Sequence, residues 1–343
     1  MLTVPTFDTF HAAYVTVLRH VAAGFEYVNA PRGNHAHECL NVSFRLTNPR
    51  DRVAYLASRR ANVVFNFAET MWYLWGRDDL DLIGYYARGL RRVSADGRTL
   101  TGTAYGPRLF GHADAAGRTQ WDRVVELLHA DPASKRAVLA IFDPAELASV
   151  NNPDVACTIA LQFLLRDGRL HAVCYMRAND ALRGLAGDVF AFTFLQELLA
   201  CQFDVELGTY AHHVGSMHIN TGDLGRVAAI LDEAAEAGDD RPRFDFPAMP
   251  PGTSRAQSRI VEIHEASLRA GQPLTAAEIH RLAPGPYWEQ VLLLFELYRQ
   301  ITHRPDTVVD QAVVGTLVPA LRWLVAHRWP DRIPSAAASE ATR

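Results

Sequence analysis

Apolar side chains recur along this 343-residue chain in two rhythms. Phe10, Tyr14, Val17, Leu18 and Val21 share one helical face within residues 7–23, and Gly24 stops the run, which predicts a first amphipathic helix. Residues 39–46 alternate as a strand does, behind a turn at Pro31, Arg32, Gly33 and Asn34. A denser apolar helix is predicted over 62–75, ended by Gly76, with a single acid, Glu69, inside it. Residues 80–105 read as loop-rich, 121–130 as a short amphipathic helix, and 137–142 as a strand entered through Lys135 and Arg136. The strongest pattern lies in 151–220. Runs at 159–165 and 170–175 are broken by Arg166, Asp167 and Gly168, a hairpin signature, so Cys157 is expected to open one strand and Arg177 to close the next. Residues 189–201 are almost wholly apolar and too long for a strand, which predicts a buried helix with Asp188 at or near its N-terminus. A helix over 224–236 follows, then a Pro-rich connection over 239–252 with a short strand at 244–246, then helices over 255–270, 286–301 and 313–327. The main body is assigned to 1–250, a helical appendage packed on it to 251–334, and a frayed tail to 335–343.

Composition narrows the field. With 49% hydrophobic and 21% charged residues the chain has the profile of a soluble globular protein, long enough for one large core or two ordinary ones. A net charge of -4 provides no basic field for a nucleic-acid polymer, so an anionic partner must be held by a few placed arginines, and a small phosphate fits that better. Four cysteines without C-x-x-C spacing, and no N-terminal apolar leader, point to free thiols and a cytoplasmic location. No uninterrupted apolar run reaches the roughly 18 residues of a membrane span, and none is expected. Neither a Gly-rich phosphate loop nor an internal repeat is present, which weakens nucleoside-triphosphate and dinucleotide readings. His35, His37 and Glu38 have a spacing that could hold a metal on a strand face, but the sequence places no third ligand; no metal is expected.

Candidate chemistry centres on Cys157, Arg177, Glu69 and Asp188. Taken alone, Cys157 suits a core thiol better than a nucleophile, since cysteine is among the most buried residue types. Glu69 either faces solvent or is paired or at work, because burying it uncompensated costs several kcal/mol, roughly. Tyr105 either enters a cleft or packs a turn.

The order of motifs changes the picture. Ala156-Cys157-Thr158, then Gln162-Phe163, Gly168-x-Leu170, Tyr175-x-Arg177-Ala178-x-Asp180, Gly184, Asp188 and Gly215-x-x-His218 resemble the thymidylate synthase family. Upstream, Ala68-Glu69 with Trp72, Tyr73, Leu74 and Gly76 is similar to that family's glutamate-bearing helix, Gly102-x-x-Tyr105-Gly106 to its G-P-V-Y-G segment, and Asp131-Pro132-x-Ser134-Lys135-Arg136 to its D-P-x-S-R-R loop. The resemblance runs over about residues 7–246 and implies an α/β fold, a mixed sheet flanked by helices with extra C-terminal helices, pairing sheet to sheet as a homodimer. It implies Cys157, Glu69 and Asp188 as catalytic residues and 5,10-methylenetetrahydrofolate as co-substrate. Arg32 and Arg177, with Lys135 and Arg136 from the second subunit, would hold a 5′-phosphate. Tyr105, Asp180 and Gly184 would contact folate or base, and His218 with Asn220 the sugar. The family's C-terminal closing peptide has no recognisable counterpart.

Departures from the family pattern bear on the substrate. Members acting on deoxyuridylate carry asparagine where this chain has Asp188. Uracil offers an N3–H donor and an O4 acceptor, which an amide satisfies, whereas cytosine offers an N3 acceptor and an N4–H donor, which a protonated carboxyl matches. Aspartate here is similar to the deoxycytidylate hydroxymethylase branch. His218-Ile219-Asn220 replaces H-x-Y, Ala178 replaces a serine and Lys135 an arginine, changes that make room for a ribose 2′-hydroxyl and favour CMP over dCMP. The combination resembles cytidylate hydroxymethylation as it occurs in nucleoside antibiotic biosynthesis. The rivals are a dCMP enzyme, a uridylate methylase, a nucleotide-binding pseudoenzyme on the same fold, and a metal-dependent hydrolase built from His35, His37, Glu38, His212, His213 and His218.

Overall fold

The computed structural model describes residues 4–333; the tail expected over 335–343 lies outside the described residues. Seven strands form one sheet: β1 (Thr6–Phe7), β2 (Tyr27–Asn29), β3 (Ala36–Leu46), β4 (Val138–Ala140), β5 (Thr158–Arg166), β6 (Arg169–Asp180) and β7 (Glu206–Asn220), in the order β1-β3-β7-β6-β5-β4 with β2 on β3. Pairs β1–β3 and β6–β7 are parallel and the others antiparallel, so the sheet is mixed. The β5–β6 hairpin turns at Asp167 and Gly168, both at positive φ (50° and 71°), the backbone that a two-residue turn between right-twisted strands requires. β6 does not end at Arg177. Parallel pairing with β7 carries it on to Asp180, through Ala178 opposite Ser216 and Asp180 opposite His218.

Helices cover the sheet: α1 (Phe10–Ala23), α2 (Val63–Leu74), α3 (Leu80–Tyr86), α4 (Gln120–Ala130), α5 (Gly184–Phe203), α6 (Leu224–Ala237), α7 (Ser258–Arg269), α8 (Ala276–Leu282), α9 (Pro286–His303), α10 (Gln311–Thr316) and α11 (Pro319–Arg328). α5 is long and apolar enough by length and composition to cross a membrane, yet its side chains are committed to the core against the sheet. It begins at Gly184, which puts Asp188 one turn inside rather than at the end. The expected strand at 244–246 is irregular chain instead, because Phe244 packs on Tyr55 (ring centroids 5.0 Å apart) and Phe246 lies over Phe67 (6.4 Å). The stretch read as one helix over 313–327 is two, α10 and α11, since Pro319 cannot continue a helix and holds Val318 extended. Within the stretch read as loop-rich, α3 starts under an Asp79 cap, and between the helices expected over 255–270 and 286–301, α8 starts under a Thr275–Glu278 capping box.

α9 is buried along most of its length. Tyr287 meets Phe67 of α2 (6.3 Å) and Phe194 of α5 (6.1 Å), and Trp288 also meets Phe194 (6.3 Å). α5 contains one buried acid, Glu197, which accepts from Arg50 Nε at 2.8 Å, from the fully buried Arg52, and from the Met249 N–H at 3.1 Å. Removing one member of a buried ion pair strands the other charge. Glu197→Ala is therefore expected to lower stability by roughly 3–5 kcal/mol, read as a lower urea midpoint at unchanged slope.

Candidate active site

Cross-strand register builds the floor of a cleft. Ala36, Glu38 and Leu40 of β3 stand opposite Asn220, His218 and Ser216 of β7, while Ala178 and Asp180 of β6 stand opposite Ser216 and His218. Side chains two apart share a face, so Glu38, Ala178, Asp180, Ser216, His218 and Asn220 point the same way. Phe65, Glu69 and Tyr73, spaced four apart on α2, form one wall, and Gly184, Gly187 and Asp188 of α5 another. Loops add Arg32, Thr103, Tyr105 and Cys157 around a volume of about 880 Å³.

Cys157 lies just before β5. Its Sγ is 3.7 Å from Arg177 Nη2, and Arg177 donates from Nε to Ala156 O (2.8 Å) and from Nη2 to Val155 O (2.9 Å). The cation is thus tied to the chain entering the thiol. Burial pushes the Cys157 thiol up, while Arg177 beside it, and Arg32 more weakly, pull the other way. Arg32 adopts φ 52°, a left-handed conformation uncommon for a side-chain-bearing residue, and donates to Pro153 O at 3.1 Å. Asp154 fastens the opposite loop, accepting the N–H groups of Thr101, Gly102 and Thr103 at 2.8–2.9 Å. A Cβ at Gly102 would stand 2.3 Å from Asp154 O, so only glycine fits there. This clasp sets Tyr105 into the cleft wall, stacked on Tyr73 (5.0 Å) and accepting from Thr158 Oγ1 at 3.2 Å.

The two carboxyls are deep in the fold and close to each other. Burial raises Glu69 to about 7, with a hydrogen bond from Tyr73 opposing the shift. Asp188 is pushed well above the usual carboxylate range, first by burial and then by the neighbouring charge of Glu69, while Asn179 hydrogen-bonds it and acts against the shift. Gly187 marks where α5 meets α2, since a Cβ there would be 3.2 Å from Glu69 Oε2. Two such carboxyls cannot both ionise cheaply, which favours the protonated form of Asp188. Behind it, Asn179 Nδ2 donates to His212 Nε2 at 3.2 Å, and His212 Nδ1 is 2.8 Å from the Tyr210 hydroxyl. Burial lowers His212 to about 3, so the ring is neutral, and with Nε2 accepting, its proton resides on Nδ1.

Asp180 does more than line the floor. Its Oδ1 accepts the N–H groups of Leu182 and Arg183 (both 2.9 Å), and its Oδ2 accepts from Asn220 Nδ2 at 3.0 Å. Gly184 is needed next to it, because a Cβ would fall 2.7 Å from Asn179 Oδ1. The structure brings Cys157, Glu69, Asp188, Arg32, Arg177, Ala178, Asp180, His218, Asn220, Tyr105 and Gly184 to one cleft. Lys135 and Arg136 lie elsewhere in the chain's own fold. Arg136 is 3.9 Å from Asp131 and borders a separate hollow with Arg108 and Arg123. Asn179, Glu38, Ser216, Tyr73 and Thr103 join the cleft without having been singled out as nucleotide contacts; alternation from Ala178 and His218 along their strands was the signal for Ser216.

The histidines of the metal reading are dispersed. His37 stacks on Phe25 (3.8 Å), His213 pairs with Ser43 (2.8 Å) and stacks on Tyr175, and His212 is buried. Among the described residues, no group of three or more His, Cys, Asp or Glu is arranged to hold a metal ion.

The mixed sheet thus carries a cleft that sets a thiol beside a guanidinium and near two neighbouring carboxyls. The chain belongs to the thymidylate synthase family, whose model matches residues 12–249. It is 33% identical over 208 residues to the deoxyuridylate hydroxymethyltransferase of Bacillus phage SP01, covering 58% of this chain and 54% of that protein. It is 31% identical over 189 residues to the deoxyuridylate hydroxymethyltransferase of Pseudomonas phage M6, covering 54% and 53%. A protein of the same description from Delftia phage PhiW-14 is 30% identical over 190 residues, covering 52% and 51%. The chain thus spans about half the length of the curated relatives it matches.

Proposed function

We propose that this protein is a folate-dependent hydroxymethyltransferase acting on C5 of cytidylate, with CMP as substrate, of the kind found in mildiomycin-type nucleoside antibiotic biosynthesis. The observation that carries the base reading is Asp188 at the cleft wall, whose carboxyl is pushed well above the usual carboxylate range towards the neutral form. Its O–H donates to cytosine N3 and its carbonyl oxygen accepts from N4–H. The phage relatives, named as deoxyuridylate hydroxymethyltransferases, support hydroxymethyl transfer as the reaction type and differ in the base.

Cys157 Sγ adds to C6 of the bound base, and the electron pair moves to C5, which becomes the nucleophile. Arg177 stabilises the thiolate against the burial that disfavours it. 5,10-Methylenetetrahydrofolate supplies the one-carbon unit, and a cleft of about 880 Å³, near the top of the usual range for small-molecule sites, has room for a pterin beside a nucleotide. C5 bonds to the one-carbon unit; loss of the C5 proton then expels tetrahydrofolate and leaves an exocyclic methylene, and water adds to it as Cys157 leaves C6. No hydride is consumed, so tetrahydrofolate is the expected folate product. Glu69, with a pKa near 7, is poised to take and return protons at the base and at that water. Glu69→Gln should lower formation of hydroxymethyl product by about 10²–10⁴-fold with nucleotide affinity little changed, measured by product mass and by calorimetry.

Arg32 and Arg177 are assigned to the 5′-phosphate, and Lys135 and Arg136 to the phosphate in a partner subunit's cleft, which makes the active form a homodimer. Tyr105, Asp180 and Gly184 are assigned to folate and base, His218 and Asn220 to the sugar. The reading is tested by offering CMP, dCMP, UMP and dUMP with methylenetetrahydrofolate and following product mass and folate oxidation state together. Hydroxymethyl-CMP with tetrahydrofolate is the expected result; a methylated uracil product with dihydrofolate would overturn it.

A further inference from the structure

We infer that Glu38, held by Ser216, is the residue that recognises the ribose 2′-hydroxyl and so separates ribonucleotide from deoxyribonucleotide. This rests on the nucleotide reading of the cleft and extends it to a side chain with no role in the chemistry at the base.

Glu38 lines the cleft from β3, directly opposite His218, and one strand further from Asp180, which also faces His218. Ser216 donates its hydroxyl to Glu38 Oε1. Of the four carboxyl groups lining the cleft, Asp188 on α5 and Glu69 on α2 lie close to each other, and Asp180 is engaged by two backbone N–H groups and by Asn220. Among the described residues, Ser216 is the side-chain donor to Glu38, whereas a carboxylate can accept about four hydrogen bonds. An anionic acceptor repels a phosphate, so its partner in this cleft must be a hydroxyl or N–H donor.

The ribose of a ribonucleotide carries two adjacent hydroxyl donors, and carboxylates bind such groups by charge-assisted hydrogen bonds, as the acid of dinucleotide-binding folds does for a ribose 2′-hydroxyl. The space is supplied by Ala178, whose β-carbon stands opposite Ser216 on the neighbouring strand and projects no further group over it. His218, assigned to the sugar, is the direct cross-strand neighbour of Glu38, about 5 Å away in a pair of this kind. A hydroxyl next to one held by His218 therefore falls within reach of Glu38. Without the 2′-hydroxyl, the carboxylate loses a hydroxyl donor after being desolvated by the nucleotide, which is how a polar site rejects an analogue lacking one group.

The test is equilibrium binding of CMP and dCMP to the full chain by calorimetry without folate, for wild type, Glu38→Gln, Glu38→Ala and Ser216→Ala. The wild type should bind CMP at least about 10-fold more tightly than dCMP, the scale of one hydrogen bond to a charged group. Glu38→Gln and Glu38→Ala should lose most of that ratio while dCMP affinity stays within about twofold, which also reports an intact fold. Ser216→Ala should lower the ratio part of the way, since Ser216 acts by positioning Glu38. A wild-type ratio retained in both Glu38 variants, or equal loss for both nucleotides, would overturn the inference, as would a wild type that does not distinguish them. Failure of the base reading is seen separately, in the product assay. If uracil nucleotides proved to be the substrates, the UMP to dUMP ratio would test Glu38 in the same way.

Discussion

Protein carrying Cys157→Ala is expected to release no tritium from 5-labelled CMP, a loss of at least roughly 10⁴-fold on the scale of removing a covalent nucleophile, while still binding the nucleotide. The geometry gives the reason. C5 of a cytosine becomes nucleophilic only while sulfur is bonded to C6, and no other cleft side chain can stand in, since Tyr105 and Tyr73 are phenols held far above their normal pKa by burial. Binding should survive because Arg177 keeps its bonds to the backbone carbonyls of residues 155 and 156 when the thiol is lost. Calorimetry with CMP checks that half of the statement. Exchange at the wild-type rate in the variant would remove Cys157 from the mechanism. The wild-type exchange rate should also climb with pH above neutrality, because burial raises the thiol and the thiolate fraction grows towards that pKa.

Asp188→Asn should move preference from cytosine to uracil nucleotides by roughly 10³–10⁴-fold in kcat/KM, the scale at which a buried hydrogen-bonding site rejects a base that leaves it unpaired. The amide presents its oxygen to N3–H and its NH₂ to O4, reversing the donor and acceptor seen by the ring. The sign of the pH effect follows from the raised carboxyl. Wild-type Asp188 is protonated below its folded-state pKa, so cytidylate binding should be strongest below that value and fall as the pH rises through it. The asparagine variant has no such limb. Competition of CMP against UMP over a pH series measures both effects, and an unchanged cytosine preference in the variant would refute the base-reading role.

Much of this site could be read in the sequence because its parts obey local rules. Alternation and the Asp167-Gly168 turn gave the β5–β6 hairpin, and the dense apolar run gave α5, so Arg177 and Asp188 fell on the right elements, while Cys157, expected to open β5, sits one residue before it in the loop. The starts of α3 and α8 were equally local, in Asp79 and in the Thr275-x-x-Glu278 box, but short helices carry too few apolar positions to show a period, and they went unread. Phe244-Asp245-Phe246 alternates like a strand yet packs as irregular chain, because its rings are claimed by Tyr55 and Phe67 from distant parts of the sequence. The protonation states lay beyond any local pattern. Glu69 and Asp188 are 119 positions apart, and each owes its shift to burial created by helices that meet only in the fold. Likewise, nothing in 36–40 indicates that β3 sets Glu38 opposite His218; that juxtaposition comes from the register of strands nearly 180 residues apart.

The rings of α9 reach Phe67, two residues before Glu69, and Phe194, six residues after Asp188. One helix from the last quarter of the chain therefore braces both carboxyl-bearing helices from behind. This makes the protein poorly modular: its C-terminal helices cannot be trimmed or exchanged as a cassette without loosening the spacing between Glu69 and Asp188. Fusion partners and immobilisation tags belong at ends that leave Tyr287 and Trp288 seated. Laboratory evolution of new base preferences can be expected to find useful changes in α9, some distance from any atom of the substrate.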